Sequence, residues 1–515
     1  MTRVLSPKAI TRRSLLRGAS AVGASSLMLP FGAAAVAAMA RRGGTLRIAT
    51  GPGSVTDSHD PRGWTSLHAQ FYAATRHNTL TEIAADGQLT GEIAESWDTS
   101  DGRTWLLRIR EGVTFHSGKV LDVGDVIASL DYHRRTPGAV AGPLLSDVTD
   151  MRADGPWLVI DLARPNADFP LLLSDVHLPI LPAHYGAIDP LSSDGCGAYV
   201  AQAYTPGQHA RLTRNPDYWK PGRAHVDVVE IVAAQGPDAL EEGLADVVFG
   251  LDRAGIARLT ARPEATVLAV SGTQHHAFAM DVRAAPYDNP DIRRALKYAM
   301  PREALVHDVL GGHGRIGNDH PIGPAHRFFD ATLAQCPFDP DRARHHLRRA
   351  GHDRLALTLT LSDAAFAGAT EAGVIVAGAA AQAGIDITLN RVAAAGYWAD
   401  HWRQTPFAAS TWSGRLTEDW AFATAYASGA PWSEGHWAHP RFDSLLAAAR
   451  ATLDDRARAA LYAEMQAICA TEGPAVIPAF ADYILAHDNR VGRPEAIGSN
   501  APLDGLRIAE RWWMT

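Results

Sequence analysis

Between Thr411 and Trp420 the chain reads TWSGRLTEDW, an arginine and two adjacent acids set between two tryptophans. Charged side chains are rarely fully buried unless paired, whereas an indole is usually mostly buried. Two structures hold such a mixture: a solvated surface loop, or a cleft for something small and charged. In a cleft, Arg415 would fork onto a carboxylate, and Glu418 and Asp419 would accept from an ammonium. The surroundings favour the cleft. Six of the chain's 13 tryptophans (Trp398, Trp402, Trp412, Trp420, Trp432 and Trp437) fall between Tyr397 and Trp437. The segments GYWADHWRQ and PWSEGHWAHP again mix indoles with charge and histidine. Apolar walls carrying a few placed polar groups are how small ligands are held. The candidate ligand-binding residues are therefore Trp412, Gly414, Arg415, Glu418 and Asp419, with Tyr397, Trp398, Trp402 and His436 beside them.

Other chemistry finds no motif. The sequence lacks H-E-x-x-H, a P-loop, G-x-S-x-G and a strand-borne G-x-G-x-x-G. An exported hydrolase would need an activated nucleophile, and no motif supplies one. The 22 histidines include the adjacent pairs His275–His276 and His345–His346. Neighbouring side chains on one element point different ways, so a pair alone makes no metal site. Neither a catalytic residue, a metal site nor a cofactor is expected.

The elements that would position this stretch follow from length and pattern. A chain of 515 residues suits about three domains of roughly 150 residues. The first forty residues carry Arg3, Lys8, Arg12, Arg13 and Arg17, no acid, and a weakly apolar run ending Ala-Met-Ala at Ala38–Ala40. That is the layout of a signal peptide, and TRRSLLR at Thr11–Arg17 resembles a twin-arginine export signal. Without those five bases, 43 Lys and Arg face 56 acids, a net charge near −13. Such a balance disfavours nucleic acid and anionic lipid as partners. Three cysteines, Cys196, Cys336 and Cys469, form no zinc spacing and allow at most one internal disulfide.

GGTLRIAT at Gly43–Thr50 and VDVVEIVAA at Val226–Ala234 read as strands, and Asp122 caps a helix through VIASLDYHRR. LALTLTLSD, EAGVIVAGAAAQAG and IDITLNRVA form a strand, helix and strand, hence a βαβ unit in a parallel sheet. GHGRIGNDH at Gly312–His320 reads as a loop, and the closing LRIAERWW as a strand.

In order along the chain stand Asn78–His133, beginning NTLTEIAADGQL, then RNPDYWKPGRAHVDVVEI, APYDNPDIRRALKYAMPREALV, DPDRARHHLRRAG and AERWW. With GGTLRI at the start, this ordered set resembles the peptide/nickel family (family 5) of ABC-transporter solute-binding proteins. The chain departs from the family at GCGAY, Gly195–Tyr199, and at Pro301. It departs again at WSGRLTED, where peptide binders carry an Asp-rich loop and Arg415 replaces an acid.

The resemblance implies an α/β, two-lobed periplasmic-binding-protein fold (class II, cluster C). The first lobe would comprise 41–66, 178–273 and 479–515, with an extra subdomain at 67–177, and the second lobe 274–478. It also implies a monomer that closes on a short peptide or peptide-like zwitterion and delivers it to membrane permease subunits. A metal chelate near His401 or His436 is the other cargo the family allows.

Export provides the first test. The mature protein is expected in the periplasm, starting at Arg41, as read by N-terminal sequencing. Changing Arg12 and Arg13 together to Lys should abolish export; continued export contradicts the twin-arginine route.

Overall fold

The computed structural model describes residues 41–415 and 417–515. The signal peptide expected at 1–40 lies outside the described residues.

An eleven-stranded sheet runs through the molecule. At one end Tyr199–Thr205, His209–Arg214 and Val228–Val232 are antiparallel neighbours. Thr45–Ala49 follows, parallel to Val228–Val232 and to Val247–Phe249. Next come two long strands, Ala475–Asp488 and Ala265–Met280, and then Phe407–Trp412, Leu355–Leu361 and Ile385–Arg391. The expected crossings after residues 273 and 478 both fall inside the two long strands.

Local signals explain the elements. Asp122 and Asp125 form a reciprocal capping box on the helix Val123–Arg135. Leu355–Leu361 and Ile385–Arg391 pair in parallel, joined by the helix Ala369–Ala381, which is the expected βαβ unit. Two expectations fail. Gly314–Ile316, inside the stretch read as a loop, adds a short strand beside Ala475–Asp488. LRIAERWW folds as the helix Ile508–Arg511 before a two-residue strand, Trp513–Met514.

The buried apolar residues form separate cores. One joins Leu46, Ile48, Tyr199, Val229 and Trp512 under the first half of the sheet. A second fills a four-stranded antiparallel sheet with Trp105, Leu107, Leu158 and Ile160. Two more flank the second half of the large sheet, one around Phe278, Leu359 and Phe407, the other around Trp412, Phe422 and Tyr462. The helix Leu67–Arg76 buries Phe71 and Tyr72 in the first of these cores, and the second core begins at Leu80.

A buried ionic cluster ties Glu82 and Glu92 to Lys220 and to the C-terminal residues Arg507 and Glu510. Lys220 Nζ bonds Glu82, lies 2.6 Å from Glu92 and 3.5 Å from Glu510. Arg507 adds a contact to Glu92 at 3.1 Å. All these side chains are at most 11% exposed, so each charge depends on its partners. Lys220→Met is expected to lower the unfolding free energy by about 3–5 kcal/mol, since buried carboxylates lose a counter-ion. Urea titration measures this; a loss under about 1 kcal/mol would mean the cluster is solvated.

Candidate functional site

The strand Phe407–Trp412 pairs antiparallel with Ala265–Met280, placing Trp412 opposite His275. The chain then leaves the sheet at Gly414, whose φ is +91°. A Cβ there would lie 2.0 Å from Thr273 Oγ1, so only glycine fits. Thr273 lies in an irregularity of the long strand: Ser271 pairs with Asp482, but the next pair is His275 with Phe480. Tyr483, on the other long strand, donates its hydroxyl to Ser413 O at 2.8 Å. Both long strands thus hold the loop that carries Arg415.

Arg415 sits in a cage of indoles. Its guanidinium carbon lies 5.3 Å from the ring centroids of Trp412 and Trp420 and 5.4 Å from that of Trp432. Nη1 donates to Gly414 O at 2.9 Å, and buried Nε has no partner. Among the described residues no carboxylate lies within 4.0 Å of the guanidinium. Burial pulls its pKa below the ordinary arginine value, and the more distant Asp175 only partly opposes this. Asp175 is itself held: its carboxylate lies 2.6 Å from His177 Nδ1, and His177 Nε2 lies 2.7 Å from Trp64 O. Burial would neutralise His177, but Asp175 overcomes it and raises the imidazole pKa, which favours an ion pair there.

In one shared cleft Glu418 and Asp419 would pair with Arg415 while no ligand is bound. They do not. Thr417 caps the helix Glu418–Ala425, and both acids stand in its first turn, where the helix N-terminus favours negative charge. Glu418 accepts from Phe328 N at 2.6 Å. Asp419 takes Arg450 in a two-point pair at 2.5 and 3.2 Å. Beside them Asp168, from the expected subdomain, meets Arg458 at 2.5 Å, each side chain 3% exposed. Arg450 O accepts from Ala167 N at 2.9 Å. The two acids therefore belong to a buried junction between the Ala167–Asp168 segment and the helices Pro440–Ala451 and Asp455–Glu472.

The remaining candidates scatter. Tyr397 is fully buried and donates to Ala409 O at 2.5 Å, a core position. Trp398, exposed on the surface, meets Trp402 edge-on, and Trp402 meets the equally exposed Trp432 the same way, so an aromatic path runs along the surface to the cage. His436 adopts φ +50° and lies within the electrostatic reach of Arg283, Asp281 and Arg403.

Sequence reasoning missed Glu434. Its carboxylate accepts from Trp402 Nε1 at 2.5 Å, from Trp412 Nε1 at 3.0 Å and from Ser410 Oγ. Burial raises its pKa against those three donors. It fixes two indoles of the wall. A lone acid between Trp432 and Trp437 was the available signal.

The architecture is that of the two-lobed, mixed α/β solute-binding proteins. The ABC transporter-associated periplasmic binding protein DppA from Helicobacter pylori, in complex with peptide STSA, superposes with a TM-score of 0.75 at 21% identity, over 92% of this chain and 99% of that one. HbpA2 from Haemophilus parasuis gives 0.77 at 20% identity, over 92% and 100%. Residues 88–434 match the profile of the bacterial extracellular solute-binding proteins, family 5 Middle, and the chain belongs to that family. Di/tripeptide-binding protein 2 of Pseudomonas aeruginosa is 27% identical over 507 residues, covering 88% of this chain and 92% of its own. Glutathione-binding protein GsiB of Pectobacterium atrosepticum is 25% identical over 438 residues, covering 80% and 84%.

The junction has a pH signature. Burial, helped by Asp168, pushes the Glu418 pKa up to about 7 from an ordinary 4.5, against the Phe328 amide and Arg458. The folded state then binds a proton that the unfolded state has released, so this group's contribution falls as pH rises from about 4.5 to about 7. Glu418→Gln keeps the acceptor for Phe328 N and removes the charge. The variant should match the parent at pH 4.5 and exceed it by about 1–3 kcal/mol at pH 8. Denaturation at both pH values checks this; an equal difference at the two contradicts it.

Proposed function

We propose that this solute-binding protein captures a short peptide or peptide-like zwitterion and delivers it to the permease subunits of an ABC importer. The observation that carries the reading is the Arg415 guanidinium, caged by three indoles and lacking a carboxylate partner. Indoles cover its faces, so a ligand carboxylate would meet it in plane, on the Nε side. The relatives named for di- and tripeptides and for glutathione support a solute that carries such a group.

Glu418 and Asp419 are already engaged, so the ligand's ammonium needs another acid. Asp175, in the electrostatic field of Arg415, is that acid in our reading: His177 takes only its Oδ1, through N and Nδ1, which leaves Oδ2 for the ammonium. Trp402 and Trp432 form the apolar wall, with Glu434 holding Trp402 in place. The protein acts as a monomer, transforms nothing chemically, and reaches the periplasm by the twin-arginine route with cleavage after Ala40. In this reading the first lobe comprises 41–66, 178–273 and 479–515 and the second lobe 274–478, and the packing of Phe71 and Tyr72 with Leu46 and Tyr199 supports a subdomain that begins nearer Leu80.

Calorimetry with cargo released from the purified protein and identified by mass spectrometry tests the reading. A desolvated charge pair that loses one partner costs about 2–5 kcal/mol, so Arg415→Ala should weaken binding by about 30-fold or more. Arg415→Lys should also bind poorly, since an ammonium cannot fork. Asp419→Asn, at the junction, should bind within about threefold of the parent once its fold is verified. Arg415→Ala within twofold of the parent would overturn the proposal.

A further inference from the structure

A second arginine is more deeply buried than Arg415 and equally without a counter-ion. The helix Leu67–Arg76 ends by stacking Arg76 on Tyr72 one turn earlier, guanidinium carbon to ring centroid 4.6 Å. Tyr72 in turn stacks on Tyr204 at 4.3 Å with rings 3° from parallel. Arg76 is 0% exposed. Its Nη1 makes one long contact, 3.4 Å to Ser192 O. Nε and Nη2 have no partner. Those two nitrogens form the side-on edge of the guanidinium, the edge that receives a carboxylate through two parallel hydrogen bonds.

The neighbourhood supplies no acid. Among the described residues no carboxylate lies within 4.0 Å of Arg76. Asp194 acts from further off, and its Oδ1 already accepts from Ser117 N at 3.1 Å. Other polar atoms nearby are idle too: both ring nitrogens of buried His77 and the hydroxyl of Tyr204. The segment GCGAY packs against this corner. A Cβ on Gly195 would lie 2.2 Å from Arg76 O and 2.6 Å from His77 Nδ1, and one on Gly197 would lie 2.4 Å from Arg76 C. Glycines at both positions let the Arg76–His77 backbone seat there. An arginine cannot shed its proton, and water would satisfy its hydrogen bonds while leaving the charge.

We infer that Arg76 is an anion-binding position inside the first lobe and that its ligand is a carboxylate, held side-on by Nε and Nη2. The inference is independent of the reading of Arg415. Its source is either a carboxylate of the cargo or a free small carboxylate.

The test uses the mature chain carrying Arg415→Ala, which removes the proposed cleft handle, with sodium acetate as probe and acetamide and sodium chloride as controls. Acetate should raise the melting temperature saturably, acetamide should not, and equimolar chloride should give clearly less. Arg76→Gln, added to the same background, should weaken the acetate effect about tenfold or more. Arg76→Lys, which keeps the charge and loses the fork, should weaken it as well. A crystal structure of Arg415→Ala grown in acetate removes dependence on the folding of these variants, and planar density against the Nε–Nη2 edge is the expected result. As-purified protein that resists acetate until it is unfolded and refolded free of cargo would assign the carboxylate to the cargo; an equal response before and after would assign a free anion. Water alone at that edge, equal protection by chloride, or an acetate effect already lost in Arg415→Ala would each overturn the inference.

Discussion

The antiparallel pairing of Ala265–Met280 with Ala475–Asp488 is the interaction on which the rest of the molecule depends. It joins the two halves of the large sheet, so every strand on one side is tied to the other through it. Between Ser271 and His275 the first strand carries two more residues than its partner. Such an excess bends a strand and re-aims its neighbours. Gly272 tolerates the bend, because a Cβ there would lie 2.4 Å from the Tyr483 ring. Thr273 then meets Gly414, and Tyr483 holds Ser413. The irregularity in the pairing is thus also the mould of the Arg415 loop.

That mould holds a charge in an unfavourable place. A guanidinium withdrawn from water without a carboxylate is destabilising, and three indoles offset only part of the loss. Glu434 keeps two neighbouring indole N–H groups satisfied, so the wall does not collapse onto the charge. A protein tolerates this arrangement when a ligand completes it, and the ligand then gains both the charge pair and an aromatic surround. The acids nearby are arranged in the opposite sense. Glu418, Asp419 and Asp168 have each found a donor in the junction and offer little to a ligand.

Much of this was legible in the sequence, and the failures share a cause. Capping at Asp122, the βαβ unit around Ala369–Ala381 and the grouping of tryptophans with Arg415 rest on local pattern, and the structure shows all three. The roles of Glu418 and Asp419 rest on partners that no local pattern names: Phe328 lies 90 positions away and Arg450 lies 31 away. Proximity in sequence grouped these acids with Arg415 in one cleft, and the fold brought other donors to them. Gly314–Ile316 is three residues long, and only the edge offered by Ala475–Asp488 makes it a strand. Near the end of the chain, Trp512 is drawn fully into the core around Leu46, Tyr199 and Val229, and that tertiary contact favours a helical turn where alternation suggested a strand.

The central claim is that an uncompensated guanidinium in the second lobe recognises the anionic end of the solute. Its most direct measurement is a crystal structure of the protein purified from its native periplasm with the cargo still bound. We predict a carboxylate of the cargo in the plane of the Arg415 guanidinium, at about 2.7–2.9 Å from its nitrogens, with Glu418 still on Phe328 N and Asp419 still on Arg450. A cargo that leaves Arg415 without an anionic partner, or that draws Glu418 or Asp419 out of the junction to meet it, would contradict the account.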